Sequence, residues 1–123
     1  MRLAIPILLL AAAPALARDR VPAATPAGAP VSCLNIASLR ESRVRDDRTI
    51  DFIMRGRRQV YRNILPNSCP GLGFEQRITY AVSQGQLCSV DTITVLLNAP
   101  LARGATCGLG EFVPITLESD AAR

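Results

Sequence analysis

Four cysteines, Cys33, Cys69, Cys88 and Cys107, constrain this chain more than any other feature. Their number is even, and the closest pairs stand 19 positions apart (69 to 88, and 88 to 107). A structural zinc site or a catalytic dithiol wants cysteines as close as C-x-x-C, because one metal or one exchange reaction must reach both sulfurs. Two disulfides, each closing a long loop, fit the spacing better, provided the chain reaches an oxidising compartment.

The N-terminus supplies that route. "MRLAIPILLLAAAPALA" places Arg2 before an apolar run that ends in Ala15-Leu16-Ala17. That order is the pattern of a secretory signal peptide, with cleavage expected after Ala17. The run falls short of the roughly 20 apolar residues that span a bilayer. A lipid-anchoring cysteine would follow the apolar run directly, whereas Cys33 follows Pro30-Val31-Ser32. The expected organisation is therefore a signal peptide at 1–17, a disordered Pro/Ala-rich linker at 18–32, a β domain at 33–118 and a tail at 119–123. The linker has too few large apolar side chains to offset the entropy of ordering it. The expected location is the periplasm or the exterior. A domain this small has a thin core and gains much from covalent staples.

The domain reads as strands. In "RTIDFIMR" (48–55), Ile50, Phe52 and Met54 share one face, opposite Thr49, Asp51 and Arg55. "RQVYRNIL" (58–65) follows after Gly56-Arg57 and completes a hairpin. "ASLRESRVR" (37–45) is a weaker strand upstream, joined through "DDR", where an Asp at a turn start accepts from the backbone two residues on. "PNSCPGLG" (66–73) is a loop. "FEQRITYAV" (74–82) and "LCSVDTITVLL" (87–97) form a second hairpin with Gly85 in its turn. "NAPLARGATCGLG" (98–110) is a Gly-rich connection. "EFVPITLE" (111–118) closes the set, with Pro114 marking an edge or bulged strand. The predicted fold is all-β: a small antiparallel barrel or sandwich of about six strands, held by two disulfides.

Hairpin register selects the disulfides. A turn centred on Gly85 sets Cys69 opposite about position 100, not opposite Cys88. Pairing of 91–97 with 111–117 would leave Cys88 far from the loop that carries Cys107. The expected bonds are Cys69–Cys107 and, by elimination, Cys33–Cys88. The same turn makes Arg77 the expected partner of Asp91.

The basic charge is all arginine, 14 residues against 10 acids, with no Lys, His or Trp. It is also local. Arg40 to Arg62 contains eight arginines and four acids, a net of +4 that equals the formal charge of the whole chain. Absence of His removes Ser-His and Cys-His nucleophilic systems and imidazole metal ligands together. Acid–base chemistry would fall to carboxylates or Tyr. Tyr61, Phe74 and Tyr80 are not interleaved with the arginines, so a stacking platform for nucleic acid is not expected.

Two clusters remain as candidates. Asp46, Asp47 and Asp51 lie among Arg43, Arg45 and Arg48. A calcium loop spaces its ligands at alternate positions around a glycine, which "DDRTID" does not do. The cluster is read as a turn with ion pairs, and the enzymatic alternative is a carboxylate-dependent hydrolase using Asp46, Asp47 or Asp51. Arg55, Arg57, Arg58 and Arg62 form the expected binding group, because guanidinium forks grip phosphate and carboxylate in a bidentate manner. The partner would be an anionic cell-envelope component or another periplasmic protein. The glycines of "CPGLG" and "CGLG" match neither phosphate-binding pattern, G-x-x-x-x-G-K-[ST] or G-x-G-x-x-G before a helix. No metal, cofactor or catalytic residue is expected.

Taken together, "RVRDDRTIDFIMRGRRQVYRN", "CPGLG", "ITY", "QLCSVDTITVL" and "CGLGEFVPI" resemble small exported proteobacterial proteins of sphingomonad type that carry a domain of unknown function. The resemblance implies a secreted, cysteine-containing β domain with no assigned activity, and it transfers no catalytic residue. The residues themselves point to a structural or binding module at the cell envelope.

Overall fold

A computed structural model describes residue 4 and residues 21–56, 59–82 and 84–118. The chain runs through β1 (Ala24–Pro26), β2 (Cys33–Asn35), a 3-10 turn (Ile36–Ser38), β3 (Leu39–Val44), β4 (Thr49–Met54) and β5 (Val60–Ile64). It continues through a one-turn helix α1 (Leu72–Glu75), β6 (Ile78–Thr79), β7 (Gln86–Cys88), β8 (Thr92–Asn98), β9 (Leu101–Gly108) and β10 (Phe112–Leu117). The strands form three antiparallel sheets, ordered β1-β10-β5-β4-β3, β2-β7 and β6-β8-β9. The all-β expectation holds, but the sheets do not close into a barrel.

The alternation in β4 aims its apolar face inward. Ile50 and Phe52 are fully buried, and the core they enter draws Leu34 from β2, Leu87 from β7, Ile93 and Val95 from β8 and Phe112 from β10. Phe52 and Phe112 meet edge to face, with ring centroids 5.4 Å apart. That arrangement brings the positive edge of one ring to the negative face of the other.

Three local expectations differ from the structure. Residues 24–26, read as part of a disordered linker, form an edge strand on β10. They need no apolar side chains for this, because their backbone does the pairing: Ala27 N–H donates to Pro114 O (2.8 Å) and Glu118 N–H to Ala23 O (3.0 Å). Residues 101–108, read as a loop, form β9, which pairs with β8 along most of its length. The expected second hairpin is interrupted instead of continuous. Between β6 and β8 the chain detours through β7, which pairs with β2, and Ile78 stands opposite Val95. Arg77 therefore neighbours Leu96, whose N–H donates to Arg77 O (2.9 Å). Asp91 accepts instead from the Cys88 N–H (2.7 Å), so the Arg77–Asp91 pair does not form.

Both disulfides match the expected pairing. Cys33–Cys88 joins directly opposed residues of β2 and β7, with Cα atoms 4.0 Å apart. Cys69–Cys107 joins the Pro/Gly loop to β9 at 5.9 Å. The strand order differs from the expected one, since β10 pairs with β5 and β1, not with β8. The bonds close sequence separations of 55 and 38 residues. In the chain-entropy account each contributes about 4 kcal/mol.

Candidate functional site

The residues of "VRDDRTIDF" part company once folded. The β3–β4 hairpin sets Asp51 opposite Arg43, and β5 sets Arg62 opposite Asp51 on the other side. Asp51 is completely buried. Arg62 grips it with two bonds, Nε to Oδ1 (2.8 Å) and Nη2 to Oδ2 (3.0 Å). Arg45 Nε adds a third to Oδ2 (2.9 Å). A carboxylate taken out of water needs this degree of compensation, and two planar guanidinium groups provide it. Arg62 Nη2 also donates to Pro22 O (3.0 Å), which ties the segment before β1 to the same cluster.

Asp46 and Asp47 have other tasks. Asp46 Oδ1 accepts from the Arg48 N–H (2.8 Å), the side-chain-to-backbone bond that shapes a tight turn. Asp47 Oδ1 accepts from the Gly73 N–H (2.7 Å), and Asp47 O accepts from the Cys69 N–H (2.7 Å). The turn is thereby fastened to the disulfide loop and to α1. Gly73 lies so close that a Cβ there would meet Asp47 Oδ1 at 2.9 Å. In the same way a Cβ on Gly110 would collide with Ile64 O, while buried Asn63 holds both backbone groups of Gly110 at 2.7 and 2.8 Å. The last glycine of "CPGLG", Gly73, and that of "CGLG", Gly110, thus serve close backbone approach.

Asp46 and Asp47 border an open depression of about 530 Å³ with Arg48, Ser68, Gly73 and Phe74, and Asp51 is not part of it. The three acids do not converge on one cleft. Every buried side-chain polar atom among the described residues has a hydrogen-bond partner. Among those residues no group of three or more His, Cys, Asp or Glu is placed to hold a metal ion. No helix among them is long and apolar enough to cross a membrane.

The arginines divide in the same way. Arg62, expected as a surface contact, is only 12% exposed and is committed to Asp51. Arg48 is anchored by Nε to Leu65 O (2.6 Å). Arg55 is exposed and directly follows β4, beside the start of β3, its N–H donating to Ser38 O (2.7 Å). Arg57 and Arg58 lie outside the described residues. Arg40 and Arg43, neither of them expected as a binding residue, are also exposed, both on β3. Arg43 is 56% exposed at its side chain and meets Glu41 at 3.2 Å, a surface pair of small energetic weight. The signal that would have found them is β3's position as the last strand of its sheet, which pairing and not composition decides.

A second depression of about 530 Å³ runs beside β3. It is lined by Ser42, Arg43, Val44 and Arg45 and, across from them, by Gln76. No family model, curated protein or solved structure matches this chain.

Proposed function

We propose that the chain is an exported, disulfide-stapled β module of the cell envelope that binds and does not catalyse. Its contact surface is the outer edge of β3, and its partner is an anionic envelope component. The observation that carries this reading is the division of the arginine segment. Arg45 and Arg62 are nearly buried on Asp51, and Arg48 is anchored to Leu65 O, while Arg40 and Arg43 stand exposed on β3, the outermost described strand of its sheet, with exposed Arg55 beside its start. The signal-peptide pattern and the two disulfides support an oxidising, extracytoplasmic location. A hydrolase built on Asp46, Asp47 or Asp51 lacks the convergence of carboxylates that such chemistry requires.

The test is co-sedimentation of the mature protein with an isolated envelope fraction, at low and high salt. Retention is expected to fall at least about tenfold in the double variant Arg43→Glu, Arg55→Glu, and to weaken with salt as exposed charges are screened. Retention indifferent to both charge reversal and salt would refute the reading.

A further inference from the structure

The partner's chemistry can be narrowed, on the strength of that reading, by the backbone of β3. Antiparallel strands alternate between pairs that exchange hydrogen bonds and pairs whose backbone groups point away from each other. Arg45 N–H donates to Thr49 O (2.9 Å), which fixes the phase at that end of the hairpin. Arg43 opposite Asp51 is then a bonded pair, and Ser42 opposite Phe52 and Val44 opposite Ile50 are not. The β4–β5 side agrees: Met54 N–H donates to Gln59 O (2.9 Å) and Leu65 N–H to Arg48 O (2.8 Å), so Phe52 and Ile50 turn their backbone groups to β5. Ser42 and Val44 therefore aim N–H and C=O outward, and no described strand pairs with that side of β3.

The depression beside β3 follows this edge. Its lining by four consecutive residues, 42 to 45, includes both faces of the strand, so the opening lies along the edge and not over one face. Its far wall is Gln76, an exposed side chain on a backbone at φ 57°. That conformation suits glycine and costs a glutamine about 1 kcal/mol or more. Gln76 is the left-handed cap of α1, its N–H donating to Leu72 O (2.9 Å), and it lines the depression across from the open strand. No acid is among the described residues that line the depression, and Arg43 on β3 and Arg45 just past its end, two residues apart, lie on the same side of the chain.

We propose that the β3 edge accepts an extended acidic segment of a partner protein as an added strand. Main-chain bonds to Ser42 and Val44 supply the grip. Acidic side chains at alternate positions of the incoming strand meet Arg43, and also the Arg45–Asp51–Arg62 cluster, which carries a net positive charge. Arg40 and Arg55 extend the same field toward the start of β3.

The probe is a fluorescein-labelled acetyl-(Glu-Val)3-amide peptide, with binding read by anisotropy on the mature, oxidised protein. The peptide is expected to bind, and a (Lys-Val)3 peptide to bind at least about tenfold more weakly. Two further peptides carry N-methyl groups on either the glutamate or the valine amides. Alternate amides point to opposite sides of a strand, so one methylated peptide is expected to lose at least about tenfold and the other to keep its affinity. In the protein, Ser42→Pro removes an outward N–H from an edge strand, where proline is tolerated, and is expected to weaken binding by a similar factor with unchanged circular dichroism. Equal binding of both methylated peptides would overturn strand addition in favour of simple charge attraction, as would no binding of the unmodified peptide. If Arg43→Glu, Arg55→Glu abolished envelope retention while the peptide failed to bind, the arginine surface would stand and the added strand would fall.

Discussion

The two edges of the five-stranded sheet are treated differently. At one end β10 is covered by β1, a Pro- and Ala-rich segment whose backbone bonds close the ladder. At the other end no described strand covers β3, which carries Arg40, Glu41 and Arg43 at its surface. An uncovered strand is a hazard, because its unpaired groups template association with any other strand. Charge on the strand limits that hazard by rejecting apolar and basic partners, and the same charge selects an acidic one. Composition does not distinguish the two edges, since a segment poor in apolar side chains became the cover. The lesson is that backbone groups, with arginines set along them, define the candidate surface.

The largest expected effect lies midway between the edges, where Asp51 joins Arg45 of the β3–β4 turn, Arg62 of β5 and, through Arg62, Pro22 before β1. Asp51→Asn keeps the shape but leaves two nearly buried guanidinium groups without their counter-charge. It is expected to cost about 3–5 kcal/mol in urea unfolding. A loss under about 1 kcal/mol would show that the cluster does not hold the sheet. Replacing Cys69 and Cys107 together by Ala should cost about 4 kcal/mol. The β3–β4 turn, which Cys69 and Gly73 fasten through Asp47, should then show faster amide exchange than the covered β10 edge. Deleting residues 18–27 uncovers β10 and removes its ladder with β1 together with the bonds of Ala27 to Pro114, Glu118 to Ala23 and Arg62 to Pro22, at about 1 kcal/mol per bond. Self-association is expected to appear in sedimentation, and a deletion variant that stayed monomeric would argue against edge protection by β1. Ser42→Pro should change stability by less than about 1 kcal/mol, since its N–H faces outward.

The smallest effect concerns pH. Burial raises the Tyr80 pKa above its ordinary value of 10.0. A raised pKa means the folded state favours the neutral phenol, so this contribution is intact below pH 10 and fades as pH rises past it. Melting temperatures measured on both sides of that pH should fall less for Tyr80→Phe than for the native chain.

Much of the fold was legible because burial imposes a period. β4 carries it in its sequence, with Ile50, Phe52 and Met54 turned to the core, although Thr49 and Asp51 on the other face are buried too. β9 shows none: none of its eight residues is fully buried, and two of them are glycines, so no alternation marks it. α1 is set by the bond from the Gly73 N–H to Asp47, a contact 26 positions distant that no local window reads. The charge balance around Asp51 was visible in "VRDDRTIDF", but its partners were not. Arg62 becomes one only through the β4–β5 register. The exposure of Arg40 and Arg43 follows from strand order, which is likewise non-local.

Amide hydrogen exchange of the mature protein, resolved by residue and compared between the two edges, tests the central claim most directly. In the free monomer the N–H groups of Ser42 and Val44 are expected to exchange quickly, and those of Ala27 and Glu118, bonded to Pro114 and Ala23, more slowly. On addition of the (Glu-Val)3 peptide, Ser42 and Val44 should become protected while the β10 edge stays unchanged. Protection of Ser42 and Val44 already present in the free monomer, or no change on adding the peptide, would contradict an open, arginine-marked edge that receives a strand.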